Sequence, residues 1–494
     1  MARRRQLCRC RWPRNVWLNI AFSALSSAAA SLSSSAFFSN YLVALPNQSE
    51  ETVGFVFAAS GVTMVLLAWP VGVLTDRLPR STLLRASAAA GVAAAAALLA
   101  ALAARALPLF YLAAVASGAF SAISGPVLAA SFADALPAGE RTAALTALQA
   151  ASLVGAALGP LLGAAAFLST GDTWAQDTLA AIMAAGAALS AASCALLLLL
   201  RDGGAGGASG AGGAGAGDAG ASLNADTRDA PLLAGGDGGG EAGGSGGGAS
   251  GAEAAPGAAV GLVAQTLALP LCGVRLTVRA IPYLIFASDM IIAMGAGMTI
   301  AFFPLYFARE LRLPPDAVAF IFAASPLLVA AACAGALPLA RACGRARAAV
   351  LLDAVGTGCI LIMALAPLPP ALAVGFYLLR TAAMNAGYPV QRAILFDVVA
   401  KADRGKWASL ENLTSCTWTG SAALGGLLVQ RYDYSFTFLI TGVIYTVGTL
   451  PLVLLVPLTA GERVDGAGAA PGNAAQQKDG LWSIGDAAEL GTSG

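Results

Sequence analysis

Asp289 and Arg380 stand deep inside long apolar stretches, each about nine residues into its run (280–307 and 371–398). An ionised side chain in such surroundings is costly, and it persists where it faces a cavity, a partner or a bound solute. If the two runs cross a membrane in opposite directions, the acid and the base come within a turn or two of the same depth. The two could pair in an empty cavity, with a solute or a proton competing for one of them. A purely structural ion pair satisfies the same spacing. The run around Arg380 carries Tyr377, Thr381, Met384, Asn385 and Tyr388 at helical spacing. The run 16–44 places Asn19, Ser23, Ser26, Ser33, Phe37 and Tyr41 on one face, and 109–133 offers Ser117, Ser121 and Ser124.

Other chemistry is excluded by what is missing. The chain has no histidine, which removes imidazole metal sites, His-based proton relays and Ser-His-Asp catalysis. Any group that titrates in a mechanism is then Asp or Glu, or less readily Cys, Tyr or Lys. The eight cysteines, Cys8 through Cys416, show no metal-ligand spacing, and most lie in or beside apolar runs as small hydrophobes. No nucleophile elbow and no cofactor motif is present, so neither an enzyme, nor a metal, nor a cofactor is expected. A net charge of +1 lacks the basic stripe that nucleic acid requires.

The elements that would hold these residues are membrane spans. Hydrophobic residues make up 57% of 494 and charged ones 11%, a balance that suits a polytopic membrane protein and no soluble domain of this length. Runs able to cross ~30 Å of hydrocarbon recur twelve times: 16–44, 53–74, 82–103, 109–133, 143–168 and 175–200, then 280–307, 316–340, 348–369, 371–398, 406–429 and 435–458. The division is a basic N-terminus (1–15), a six-helix bundle (16–200), a Gly/Ala-rich linker (201–279), a second bundle (280–458) and a tail (459–494). The linker composition cannot bury a core and predicts disorder, as does the tail. Arg and Lys concentrate on one set of loops, which predicts both termini in the cytoplasm. The basic residues before the first span read as a topology signal rather than a transit peptide. Asn47-Gln48-Ser49 is a glycosylation acceptor motif in the first loop of the opposite side. Which membrane holds the protein is left open, and a monomer in the bilayer is expected.

The two halves echo each other. Ala68-Trp69-Pro70 through Arg77 to Leu83-Leu84 aligns with Ala336-Leu337-Pro338 through Arg345 to Leu351-Leu352. Asp134, Glu140, Arg141 and Gly163 align likewise with Asp397, Asp403, Arg404 and Gly426, while Gly344 stands where Asp76 does. Paired six-helix repeats suit a transporter that rocks one bundle against the other. Between the second and third spans lies Gly72-Val73-Leu74-Thr75-Asp76-Arg77-Leu78-Pro79-Arg80, which reads as a tight turn at the membrane surface with one acid and two bases. This segment resembles the signature loop of the major facilitator superfamily, with Ser81 where a second base is frequent. Gly155-x3-Gly159-Pro160-x2-Gly163 in the fifth span resembles the family's antiporter-associated motif. Small-residue helix packing is the other reading of those four residues.

The resemblance implies an all-α membrane fold of about twelve helices in two pseudo-symmetric bundles, with the first, fourth, seventh and tenth helices lining a central cavity. Asp289, Arg380, Tyr377, Thr381, Asn385, Asn19 and Ser23 become the candidate solute or proton contacts. Gly72, Asp76, Arg77 and Arg80 become gating residues, Asp76 facing the start of the eleventh helix near Gly405-Lys406-Trp407. By the same resemblance Asp134, Glu140, Arg141, Asp397, Asp403, Arg404 and Glu411 form ion-pair networks that break and re-form between states; solvated helix-end charge is the alternative. The expected function is secondary transport of a small polar solute by alternating access, with proton coupling through a carboxylate as one option. A non-transporting receptor or scaffold of the same fold is the alternative. No charge lies at mid-membrane in the first half, which assigns recognition to the second. The run Ser288 to Met298 resembles facilitator proteins of unicellular eukaryotes and names no substrate.

Overall fold

Twelve helical crossings make up most of the described residues, and the polar breaks between them set the turns. The computed structural model describes residues 12–33, 36–135, 141–171, 173–200, 267–268, 275–399 and 404–459. The first crossing consists of α1 (Arg14–Ser33) and α2 (Ala36–Ala44). The first bundle continues with α3 (Glu50–Arg77), α4 (Arg80–Ala104), α5 (Leu107–Asp134), α6 (Arg141–Thr170) and α7 (Gln176–Leu197). The seventh crossing joins α8 (Ile281–Ile300), α9 (Phe303–Leu305) and a π-helical turn over Tyr306–Glu310. Then follow α10 (Pro315–Cys343), α11 (Arg345–Leu365), α12 (Pro370–Ala386) with α13 (Tyr388–Val398), α14 (Arg404–Arg431) and α15 (Tyr434–Leu458).

These helices match the twelve apolar runs to within a few residues. They overrun the apolar cores where the flanking charge favours it: Glu50 and Glu51 sit in the first turn of α3 and Arg77 in its last, complementing the helix dipole. Ten of the crossings are long and apolar enough to span a bilayer by length and composition alone. The other two are α12–α13, which is broken, and α14, whose middle is made polar by Thr414, Ser415, Thr417, Thr419 and Ser421.

The halves meet along two crossings, α3 against α14 and α6 against α10. Association of helices in lipid relies on close packing rather than on the hydrophobic effect. A Cβ on Gly54 would strike the backbone carbonyl of Ala422, and one on Gly426 would lie 2.8 Å from the carbonyl of Glu50. One continuous core at the end opposite the termini draws on both halves, with Phe37, Tyr41, Phe110 and Phe167 meeting Phe303, Phe307, Tyr377 and Phe438.

Two crossings break at prolines. Pro389 cannot donate to the carbonyl of Asn385, and α12 ends there; the Cys333 thiol occupies that carbonyl instead at 3.7 Å. Pro304 interrupts the seventh crossing in the same way and leaves carbonyls of that stretch for other donors.

The segment read as a disordered linker differs at its far end. Leu267–Ala268 pairs antiparallel with Arg275–Leu276, and Val278–Ala280 is a 3-10 turn. The Gly/Ala composition gives way there to Leu, Val and Arg, which can support a short ladder. Residues 1–11, 201–266 and 460–494 lie outside the described residues, and with them most of the proposed linker and tails.

Candidate functional site

A cavity of about 400 Å³ lies between the halves. From the first half its wall is apolar and hydroxylic: Ser23, Ser26 and Ser27 on α1, Ser60 on α3, Ser117, Ser121 and Ser124 on α5, and Ser190 on α7. Serines suit this position because they can bond to their own helix carbonyls, as Ser31 does to Ala28 and Ser33 to Ala29. Ser27 Oγ and Ser152 Oγ meet at 2.8 Å across the α1–α6 contact. Asn19, expected in the cavity, is instead fully buried and donates to the Asn15 carbonyl at 2.9 Å. Phe38 caps the cavity with edge-on contacts to Phe57 (5.5 Å) and Phe110 (6.0 Å).

The second half contributes charge. Asp289 of α8 lines the cavity, together with Asp353, Asn385, Tyr388, Gln391 and Arg392. Asp353 and Arg392 escaped the sequence reading, although the signal that singled out Asp289, a charge inside an apolar run, applies equally to them. Asp353 is 1% exposed and accepts from Gln391 Nε2 at 3.3 Å. It sits on α11, yet it reaches the cavity beside the α12–α13 break, where a Cβ on Gly387 would lie 3.4 Å from its Oδ1. Arg392 is 8% exposed, its guanidinium 5.7 Å from the Tyr388 ring centre.

Arg380 lies elsewhere. It lines a smaller cavity of about 90 Å³ that shares Ser27, Phe57, Met384, Asn385, Trp418 and Thr419 with the larger one. Its guanidinium donates through Nη2 to Tyr445 Oη and lies 5.3 and 5.4 Å from the ring centres of Phe303 and Tyr445. The expected Asp289–Arg380 pairing is not among the ion pairs of the described residues. The aromatic set around Arg380 holds it by cation–π contact instead. Tyr377 and Thr381 line the smaller cavity with it, and Asn385 lines both.

The end of the molecule opposite the termini is sealed by bonds between the halves. Ser39 Oγ donates to the Ala301 carbonyl at 2.8 Å and Asn40 Nδ2 to the Pro304 carbonyl at 3.5 Å, both in the broken stretch of the seventh crossing. Arg309 pairs with Glu50 at 2.9 Å, and Tyr434 donates to the same carboxylate at 3.3 Å. Trp174 Nε1 reaches the Leu313 carbonyl at 3.2 Å.

Among the gating candidates, Asp397 forms an ion pair at 2.7 Å with Arg345, a residue that the sequence singled out only as the counterpart of Arg77 in the repeat. The segment 72–80, read as a tight turn, turns only at Leu78 and Pro79, while Gly72 and Asp76 lie within α3. The second half turns at Gly344, whose φ of +93° disfavours any side chain. That explains why no acid stands opposite Asp76. Glu140 and Asp403 lie outside the described residues, as do the side chains of Asp76, Asp134, Arg141, Arg404 and Glu411. Arg77 is exposed and Arg80 half-buried. In α6, a Cβ on Gly155 would strike the Ala24 carbonyl, one on Gly159 would strike Ser31 Oγ, and one on Gly163 would strike the Phe37 ring. These glycines pack α6 onto α1, and Pro160 lines the smaller cavity. Asn47 is exposed in a turn at φ +58°.

Comparison with known proteins agrees with this architecture. The Major Facilitator Superfamily model matches residues 17–264 and 285–484. No curated protein matches the chain. Among solved structures, the D323A mutant of the nucleoside transporter NupG superposes with a TM-score of 0.59 at 13% identity, over 89% of this chain and 99% of that one. A bacterial homologue of the iron transporter ferroportin, in its inward-facing state, gives 0.61 at 13%, over 89% and 98%. The xylose transporter XylE from E. coli gives 0.60 at 12%, over 90% and 98%.

Proposed function

Since the chain belongs to the Major Facilitator Superfamily, an integral membrane family of transporters and not of enzymes, we propose that it moves a small polar solute across its membrane by alternating access. The observation that carries this reading is the cavity between the halves, lined with polar groups from both and sealed at the end remote from the termini. Solute enters from the terminus-bearing side, meets the serines of the first half and the charges of the second, and leaves once the seal parts. The excess of Arg and Lys on the terminus-bearing face supports a cytoplasmic placement of that face, and on that reading the conformation is inward-facing. The carboxylates of Asp289 and Asp353 are the groups able to couple a proton to the cycle. Asp76, Arg77 and Arg80 act as the latch on the cytoplasmic side, with the acid and base pairs of both halves, among them Arg345–Asp397, exchanging partners as it closes. Each chain carries a whole cavity, so the unit of function is the monomer. The run 288–298 supports kinship with facilitators of unicellular eukaryotes.

The test is solute uptake by purified protein in liposomes, with and without a pH gradient. Uptake that saturates supports transport, and a gradient-driven component lost in Asp289→Asn or Asp353→Asn supports proton coupling. Solute binding by thermal shift without flux of the same solute would leave a receptor in its place.

A further inference from the structure

The smaller cavity has a one-sided chemistry. Arg380 is 4% exposed, in the middle of a membrane crossing, and no described carboxylate pairs with it. Its neighbours are the rings of Phe303 and Tyr445 and the Tyr445 hydroxyl. Its Nε–H has no partner among the described residues, and neither has the indole N–H of Trp418, which lines the same cavity. A buried cation with spare donors and no counter-charge is costly until an anion arrives. A third orphan is of the opposite kind. Asn385 is 8% exposed, and its Nδ2 donates to the Thr381 carbonyl at 2.8 Å, which fixes the amide so that Oδ1 is the atom left without a partner. That atom is an acceptor, and Asn385 stands where the two cavities join.

We propose that the transported solute is a small 2-hydroxy or 2-amino carboxylate whose carboxylate docks on Arg380 and Trp418 and whose 2-substituent donates to Asn385 Oδ1. The assignment rests on the transport reading given above. A planar carboxylate presents two acceptor oxygens to the N–H groups of the guanidinium and the indole. A single cation matches a single negative charge, which disfavours a phosphate dianion. The remainder of the solute lies in the larger cavity, against the serines of the first half. Binding therefore orients the molecule with its acid toward the sealed end and its body toward the open one. It also removes the cost of an uncompensated Arg380, so that the loaded protein is the more stable one.

The experiment uses the full chain, in detergent for thermal unfolding and in liposomes for uptake. The probes are matched: glycerate against glycerol, serine against ethanolamine, and 3-hydroxypropionate as the acid that lacks only the 2-substituent. Glycerate or serine is expected to raise Tm and to be taken up, with 3-hydroxypropionate at least about tenfold weaker, through the loss of one hydrogen bond and the unpaired Asn385 Oδ1 it leaves. Which of the two acids is favoured separates the hydroxy from the amino class. Arg380→Gln should abolish the Tm shift by the acid. Asn385→Leu should leave a protein that folds and no longer distinguishes glycerate from 3-hydroxypropionate, a readout that stands even if Arg380→Gln fails to fold. Equal uptake of glycerol and glycerate overturns the subsite and leaves transport intact. No shift and no uptake with any of the acids also overturns it, and the wider flux screen then decides the transport reading separately.

Discussion

The two halves of the cavity are built from different chemistry. The first half lines it with serines, alanines and larger apolar side chains such as Phe22, Phe57 and Phe120 and, among the described residues, no ionisable group. The second supplies Asp289, Asp353, Gln391, Arg392 and, one cavity away, Arg380. A serine whose hydroxyl is satisfied by its own helix can exchange partners at small cost. A buried charge has a few acceptable partners and a steep penalty for lacking them. The first half is thus a permissive surface and the second a selective one, although each is a bundle of six crossings.

This contrast can be broken experimentally. The largest effect belongs to Asp353: replacing it by Ala strips Gln391 of its acceptor in a buried polar cluster, and a loss of about 3 kcal/mol, on the order of a hundredfold in uptake, is expected. Initial uptake rate and Tm together separate loss of transport from loss of fold. Next, Gly159→Val drives a side chain into Ser31 and the Ala28 carbonyl. Overpacking of about 1–3 kcal/mol should appear as a lowered Tm. Ser27→Ala, which removes the hydroxyl contact to Ser152, should cost about 1 kcal/mol and less than about tenfold in uptake. A loss from Ser27→Ala as large as that from Asp353→Ala would abolish the distinction between the walls. The smallest effect is at the sealed end. Glu50→Gln weakens a pair whose arginine is 45% exposed, so about 1 kcal/mol or less is expected. Spin labels at 47 and 312 should report a modest shift toward the separated population, and no shift would remove the ion pair from the seal.

The twelve crossings were legible because membrane spans leave a long-range signal: one run of apolar residues per crossing, with charge gathered at the turns. The site was legible only in part. Asp289 showed itself as an acid in an apolar run, and Tyr377, Thr381 and Asn385 as a helical stripe. Asp353 carries the same mark but sits on α11, outside the set of helices that the family resemblance places at the cavity. Its access depends on the helix break at Gly387 and Pro389, a tertiary consequence of one missing N–H. The partner of Arg380 was misjudged for a related reason: depth along two helices says nothing about rotation around them, and rotation turns Arg380 toward Tyr445. Asn19 shared a face with Ser23 in the sequence, yet its amide is taken up by its own helix. The absence of an acid at Gly344 became intelligible only from the left-handed backbone there.

The seal formed by Ser39 and Asn40 has an unequal mutational footprint. Both donors are side chains of the first half, whereas both acceptors are backbone carbonyls of the second, at Ala301 and Pro304. A carbonyl oxygen is present whatever residue carries it. Substitution at position 301 by another small residue should leave closure unchanged, while Ser39→Ala removes its contact outright. At these two bonds the sequence specificity therefore lies in Ser39 and Asn40 of the first crossing and not in the residue at 301, provided that the break at Pro304 remains.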